Sequence, residues 1–136
     1  MNTLAQTAAP ASSKMLWTGR ILTAFVVLFM LFDSIIKLIE IAPVTESFAQ
    51  LGYPNNVARL IGGIELICTT LYVIPRTSVL GAILLTAVMG GAISSHIRVE
   101  DPLFSHTLFG VYLGLFIWGG LFFRDERLRA LLPFRR

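Results

Sequence analysis

Between Arg76 and Arg98 the chain reads "TSVLGAILLTAVMGGAISSHI", without one Asp, Glu, Lys or Arg. An α-helix needs about 20 mostly apolar residues to cross the hydrocarbon core of a bilayer. Runs of the same kind extend from about Leu16 to Ile39, from Val57 to Ile74 and from Leu103 to Phe123. Inside lipid each backbone amide must find its partner within its own segment, so every run is expected as a helix. The prolines, at 10, 43, 54, 75, 102 and 133, all fall outside the spanning runs, where a missing N–H interrupts nothing. Composition agrees, with 55% hydrophobic and 14% charged residues. A soluble domain averages about 45–50% and roughly 25%. A water-soluble core of 136 residues has too few charges to cover that much apolar surface.

These features predict an all-α fold, an integral membrane four-helix bundle running up-down-up-down over residues 15–124. A disordered arm at 1–14 precedes it and a basic tail at 125–136 follows. The segments 40–56 and 98–103 are expected as connections. The first run is too long for a signal-peptide core, ends in charged residues and lacks a small-residue cleavage site, so it is read as retained. Lys14, Arg20, Arg76, Arg124, Arg127, Arg129, Arg135 and Arg136 lie on the side holding both termini; Lys37, Arg59 and Arg98 lie on the other. That bias places both termini in the cytoplasm and the protein in a bacterial inner membrane. The C-terminal arginines read as a membrane anchor, and no nucleic-acid partner is predicted. Cys68, the one cysteine, sits in an apolar run, makes no internal disulfide and reads as a structural thiol.

The ionisable residues of the outer half stand against this background. Asp33 and Lys37 are four apart, share one helix face and can pair, and Glu40 continues their stripe. Glu65 lies roughly 12 Å inside its run at 1.5 Å per residue. His96 and Arg98 close the third run, Asp101-Pro102 makes the turn, and His106 opens the fourth. A charge at mid-bilayer costs about 2.5–3.5 kcal/mol, so it usually faces the bundle interior with a partner. Glu65 must either carry a proton or find Lys37, Arg98 or a histidine, and Gly62 and Thr69 flank it on the same face. A plainer reading stands beside this one. Lys37, Glu40, Arg59, Arg98, Glu100 and Asp101 lie near run ends, where charged side chains reach headgroups without further role. The Asp33–Lys37 pair serves equally as a brace, and either histidine as an ordinary hydrogen-bonding partner.

The candidate catalytic residues are Glu65, His96 and His106, and the candidate ligand-binding residues are Asp33, Lys37 and Arg98. No His-x-x-x-His or Glu-x-x-His spacing occurs, and no metal site is predicted. Ser94, Ser95 and Ser105 adjoin the histidines, but serines in membrane helices commonly bond their own backbone. The chain has no phosphate loop, haem-attachment motif or dinucleotide fingerprint. A small lipophilic ligand entering from the bilayer suits such a group, and a quinone is one fit. Its carbonyls need donors, and a carboxylate or neutral imidazole exchanges the proton that travels with the electrons. Phe29, Phe32, Phe104, Phe109 and Tyr112 are available to stack on a ring, though lipid-facing or core roles are more ordinary for most. Gly110-x-x-x-Gly114, Gly90-Gly91 and Gly119-Gly120 permit close helix approach, inside the bundle or in a homodimer.

"LYVIPRTSVLGAILLTAVMGGAISSHIRVEDPLFSHTLFGVYLGLFIWGGLFFRDERLRALLP", "LFDSIIKL" and "LGYPNNVARLIG" resemble the DoxX-like family of small four-helix bacterial membrane proteins. The most specific pieces are the Ile-Pro-Arg-Thr turn, Gly-Gly with the following Ser-His-Ile-Arg, and Asp-Pro-Leu-Phe-Ser-His. The resemblance covers nearly everything after the N-terminal arm. It implies a setting linked to thiosulfate:quinone oxidoreduction or to quinone and oxidative-stress responses, and it assigns no site residues. Glu65 departs from the apolar residue expected at that position. Two other readings stay open: an adaptor that holds a soluble redox partner through "RDERLRALLPFRR", and a small proton-linked transporter.

Overall fold

The computed structural model describes residues 12–131, whose regular elements are all helices. They are α1 (Ser13–Leu38), α2 (Ala42–Gln50), α3 (Val57–Val73), α4 (Ser78–Arg98), a wide turn at Leu103–Thr107, α5 (Phe109–Arg124) and α6 (Glu126–Leu131). Most of the expected arm at 1–14 lies outside the described residues, as do Pro133, Arg135 and Arg136 of the expected tail. The described part of that tail is the helix α6.

The polarity of α1 shows what surrounds it. Gly19, Val26, Met30 and Ser34 are buried against its neighbours. Trp17, Ile21, Phe25, Leu28, Phe32, Ile35 and Ile39 form an exposed stripe at steps of three and four residues. Most of the large apolar side chains point outward, the reverse of a surface helix in water. Such a helix is stable where its outer face meets lipid. Inward, small residues let backbones close up: a Cβ on Gly19 would lie 2.9 Å from the Gly120 carbonyl oxygen, and one on Gly81 would collide with the Tyr72 backbone. α1 packs against α3 and α5, and α4 packs against the same two. Val26, Met30, Tyr72, Leu85, Ile117 and Leu121 fill the core between them. Tyr72 donates its hydroxyl to the Ile117 carbonyl at 2.7 Å, so the core tyrosine is not left unsatisfied.

Among the described residues three segments, Ser13–Leu38, Ser78–Arg98 and Leu103–Arg124, are long and apolar enough to cross a membrane. The fourth expected span, Val57–Ile74, emerges as the 17-residue α3. Its end has a local cause: Ile74 is extended, ψ 122°, as the residue before a proline tends to be. The expected connection at 40–56 also differs, because it contains the nine-residue α2, which starts with Pro43 in its first turn. A helix this short gives no bilayer-length signal.

Three helices end in the same way at the edge where α2 lies. Glu40, Gly52 and Glu100 take left-handed backbone, at φ 52°, 79° and 56°. The next amide then reaches back to a carbonyl five residues earlier: Ile41 to Ile36 at 3.3 Å, Tyr53 to Phe48 at 2.9 Å and Asp101 to His96 at 3.1 Å. These are Schellman caps, two of them built on a glutamate where glycine is usual. At the opposite edge Arg129 folds back, its Nη1 donating to the Phe122 and Phe123 carbonyls at 2.9 and 3.0 Å. The Arg124 guanidinium lies over the Tyr72 ring, 5.3 Å from its centroid. Two of the arginines expected to anchor at headgroups are therefore tied into the protein itself.

Candidate functional site

The site begins with a close helix approach. Gly62 on α3 faces Ser34 and Lys37 on α1, where a Cβ would meet the Lys37 Cβ at 2.8 Å. With no side chain in the way, Lys37 reaches across. Its Nζ lies 2.6 Å from Asp33 Oδ2 on its own helix and 2.7 Å from Glu65 Oε1 on α3. Ser34 and Thr69, on the same two faces, return their hydroxyls to the Met30 and Glu65 carbonyls and leave the ionic group undisturbed. Glu65 is 2% exposed, and its second oxygen, Oε2, is buried with no hydrogen-bond partner among the described residues. Two carboxylates share one ammonium. The cluster thus carries one surplus negative charge unless a proton or another positive group joins it.

A second polar group forms at the end of α4. The Schellman cap turns the chain sharply enough for Asp101 to come back to His96, five residues earlier. Its amide bonds the His96 carbonyl, and its Oδ2 lies 2.6 Å from His96 Nδ1. A carboxylate accepts only, so Nδ1 holds the hydrogen, and it is the neutral form of the ring that presents the lone pair of Nε2. Beyond Pro102, the amides of Thr107 and Leu108 bond carbonyls five residues back, at 3.2 and 2.9 Å. This widened turn is of the kind often found at functional sites. It sets the His106 ring 5.9 Å from that of His96, edge to face, with its Nδ1 2.7 Å from Ser105 Oγ.

Both groups border one cavity of about 460 Å3. Asp33 and Lys37 enter its wall from α1, Glu65 from α3, His96 from α4 and His106 from the wide turn. α2 and the residues after it form a further side through Phe48, Leu51 and Tyr53. Tyr53 bonds Ser95, whose hydroxyl also bonds the Gly91 carbonyl at 2.9 Å. The single Ser95 proton goes to that carbonyl, so Tyr53 must be the donor of the first bond. Phe29 and Phe109, ring centroids 5.3 Å apart, give the cavity an aromatic wall.

Five of the six residues singled out from sequence thus meet around one space. Arg98 does not. Its guanidinium bonds the Leu51 carbonyl and covers Gly52, which braces the end of α2 outside the cavity wall. Glu40 leaves the Asp33–Lys37 stripe as well: its left-handed backbone turns it toward Arg59, 3.3 Å away. Of the candidate stacking aromatics, Phe29 and Phe109 line the cavity. Phe32 and Phe104 face outward, and Tyr112 donates to the Phe104 carbonyl at 3.1 Å. Sequence reasoning left Tyr53 out altogether, and placed Asp101 in a turn without giving it His96. The signal for Asp101 was a five-residue spacing across a helix end followed by proline. Among the described residues no group of three or more His, Cys, Asp or Glu is placed to hold a metal ion.

Long apolar helices packed around a buried ionic cluster define a membrane protein. Residues 21–120, which include every side chain of the cavity, match the DoxX-like family, and the chain belongs to it. No curated protein and no solved structure matches the chain.

Proposed function

We propose that the chain crosses a bacterial inner membrane four times, as an up-down-up-down bundle with both termini in the cytoplasm. In the outer half of that bundle it binds a quinone or similar small lipophile as part of a redox process. The reading rests on one observation: ionisable side chains from separate helices converge on a cavity whose remaining wall is mostly apolar and aromatic. A volume of about 460 Å3 lies within the roughly 300–1,000 Å3 of small-molecule sites. The 17 residues of α3 support a fourth crossing, since about 17 is the lower limit for a spanning helix. In this reading Asp33 and Lys37 are the structural and proton-exchanging pair, Glu65 is the buried proton carrier, and His96 and His106 bond the polar end of the ligand. Arg98 acts through α2, which it braces, and not on the ligand itself.

The test is binding of a short-chain benzoquinone to the purified full-length protein in lipid nanodiscs, alongside mass spectrometry of lipophiles that co-purify from native membranes. Saturable binding by the wild-type protein, lost when Glu65→Gln, His96→Ala and His106→Ala are combined, is the expected result. Binding that survives all three changes overturns the proposal.

A further inference from the structure

The ligand's chemistry is further restricted by which hydrogen-bonding groups the cavity still has to offer. Resting on the reading above, we infer that the site selects the reduced, dihydroxy form of its aromatic ligand, a hydroquinone, over the quinone. Donors around the cavity are largely spent. Lys37 gives two of its three N–H groups to Asp33 and Glu65, at 2.6 and 2.7 Å. Tyr53 gives its proton to Ser95, and Ser95 gives its own to the Gly91 carbonyl. The Nδ1 hydrogen of His96 belongs to Asp101.

Acceptors, by contrast, remain. Glu65 Oε2, an acceptor while the carboxylate is ionised, is buried and unpartnered among the described residues. The Tyr53 oxygen keeps a free lone pair, His96 offers Nε2, and Asp33 has a second carboxylate oxygen beyond the one that holds Lys37. Against these stand the third N–H of Lys37, the exposed hydroxyl of Ser47 and, where Ser105 donates to its Nδ1, the Nε2–H of His106. A buried acceptor that meets another acceptor keeps its full desolvation penalty, about 1–3 kcal/mol and more when charged. A ligand hydroxyl removes that penalty with a charge-assisted bond. A quinone carbonyl does not, because it too can only accept. With Glu65 ionised, the surplus negative charge of the Asp33–Lys37–Glu65 cluster acts in the same direction, since it repels a carbonyl oxygen and attracts a hydroxyl proton.

The experiment compares three probes on the wild-type protein in nanodiscs: a short-chain hydroquinone kept reduced, the matching benzoquinone, and the hydroquinone dimethyl ether. The ether keeps size and shape and removes both donors. The hydroquinone is expected to bind at least about tenfold more tightly than either of the others, the size of one lost hydrogen bond to a buried charge. Glu65→Gln, which places an amide donor beside the ligand, is expected to remove most of that preference. Tyr53→Phe, outside the ionic cluster, is expected to reduce hydroquinone affinity severalfold and leave the quinone unchanged. Equal affinity for hydroquinone and ether, or tighter binding of the quinone, overturns the donor requirement and leaves lipophile binding standing. Failure of all three to bind overturns the proposed function itself. Competition by a lipophilic ammonium that exceeds the hydroquinone also overturns the inference, because charge alone would then select the ligand.

Discussion

At the scale of single residues, the site depends on side chains whose second atom is already committed. Asp101 fixes which nitrogen of His96 carries the hydrogen. On 15N-histidine-labelled protein, His96 is expected to show a protonated Nδ1 and a bare Nε2. Asp101→Asn should mix the two tautomers and leave the Ser105-bonded His106 unchanged. A wild-type His96 protonated on Nε2 alone would contradict the dyad. Lys37 is equally committed. Removing one partner of a buried ion pair costs about 3–5 kcal/mol, whereas replacing the whole pair with apolar residues is often neutral. Lys37→Met should therefore lower thermal stability in detergent sharply, and adding Glu65→Leu should recover much of the loss. A double variant no more stable than the single one would show that the pair does not act as a unit. Glu100 has the opposite character: it is exposed, has no side-chain bond, and sits at φ 56° in a cap that suits glycine. Left-handed backbone costs a side-chain-bearing residue about 1–2 kcal/mol, so Glu100→Gly should stabilise by about 1 kcal/mol in the same melt.

At the scale of elements, the contact between α1 and α3 creates the site and is the easiest to test. Gly62→Ala would push its methyl into Lys37 and the Ser34 carbonyl. It should part the helices and weaken ligand binding about as much as loss of the ion pair. Gly63→Ala, whose methyl meets nothing within 4 Å, is the matched control and should be silent. Much of this contact was legible in the sequence. The four-residue step from Asp33 to Lys37 fixed their shared face, and an acid deep in an apolar run had to find a cation. The glycine one turn before Glu65 marked where the helices could meet. What stayed hidden followed from physics that apolar runs do not report. α2 is too short to register as a span, although its end brings Phe48 and Tyr53 to the cavity. The approach of Asp101 to His96 depends on left-handed backbone at Glu100, a residue whose type gives no warning of it. Arg98 looked like a site residue because it neighbours His96, but consecutive positions on a helix point about 100° apart and two positions roughly 200°.

At the scale of the whole molecule, the exposed apolar stripe of α1 and the polar, capped edge near α2 imply a fixed way of lying in a bilayer. The proposed orientation can be tested in a Cys68→Ser background with single cysteines introduced as Arg76→Cys and Glu100→Cys. In intact cells a membrane-impermeant maleimide should label position 100 and reach position 76 only after permeabilisation. The reverse pattern would invert the topology while leaving the cavity intact. Cys68 itself is buried and should stay unlabelled until the fold is disrupted.

The shared ammonium also has a consequence for biogenesis. α1 brings its acid and its base together, one turn apart on a single helix, and so can leave the insertion machinery already neutralised. α3 emerges later with Glu65 and no cation of its own at that depth. A chain that begins after residue 50 is therefore expected to insert α3 poorly, and co-expression of the first helix should rescue it, which makes the order of synthesis part of how this acid comes to rest inside lipid.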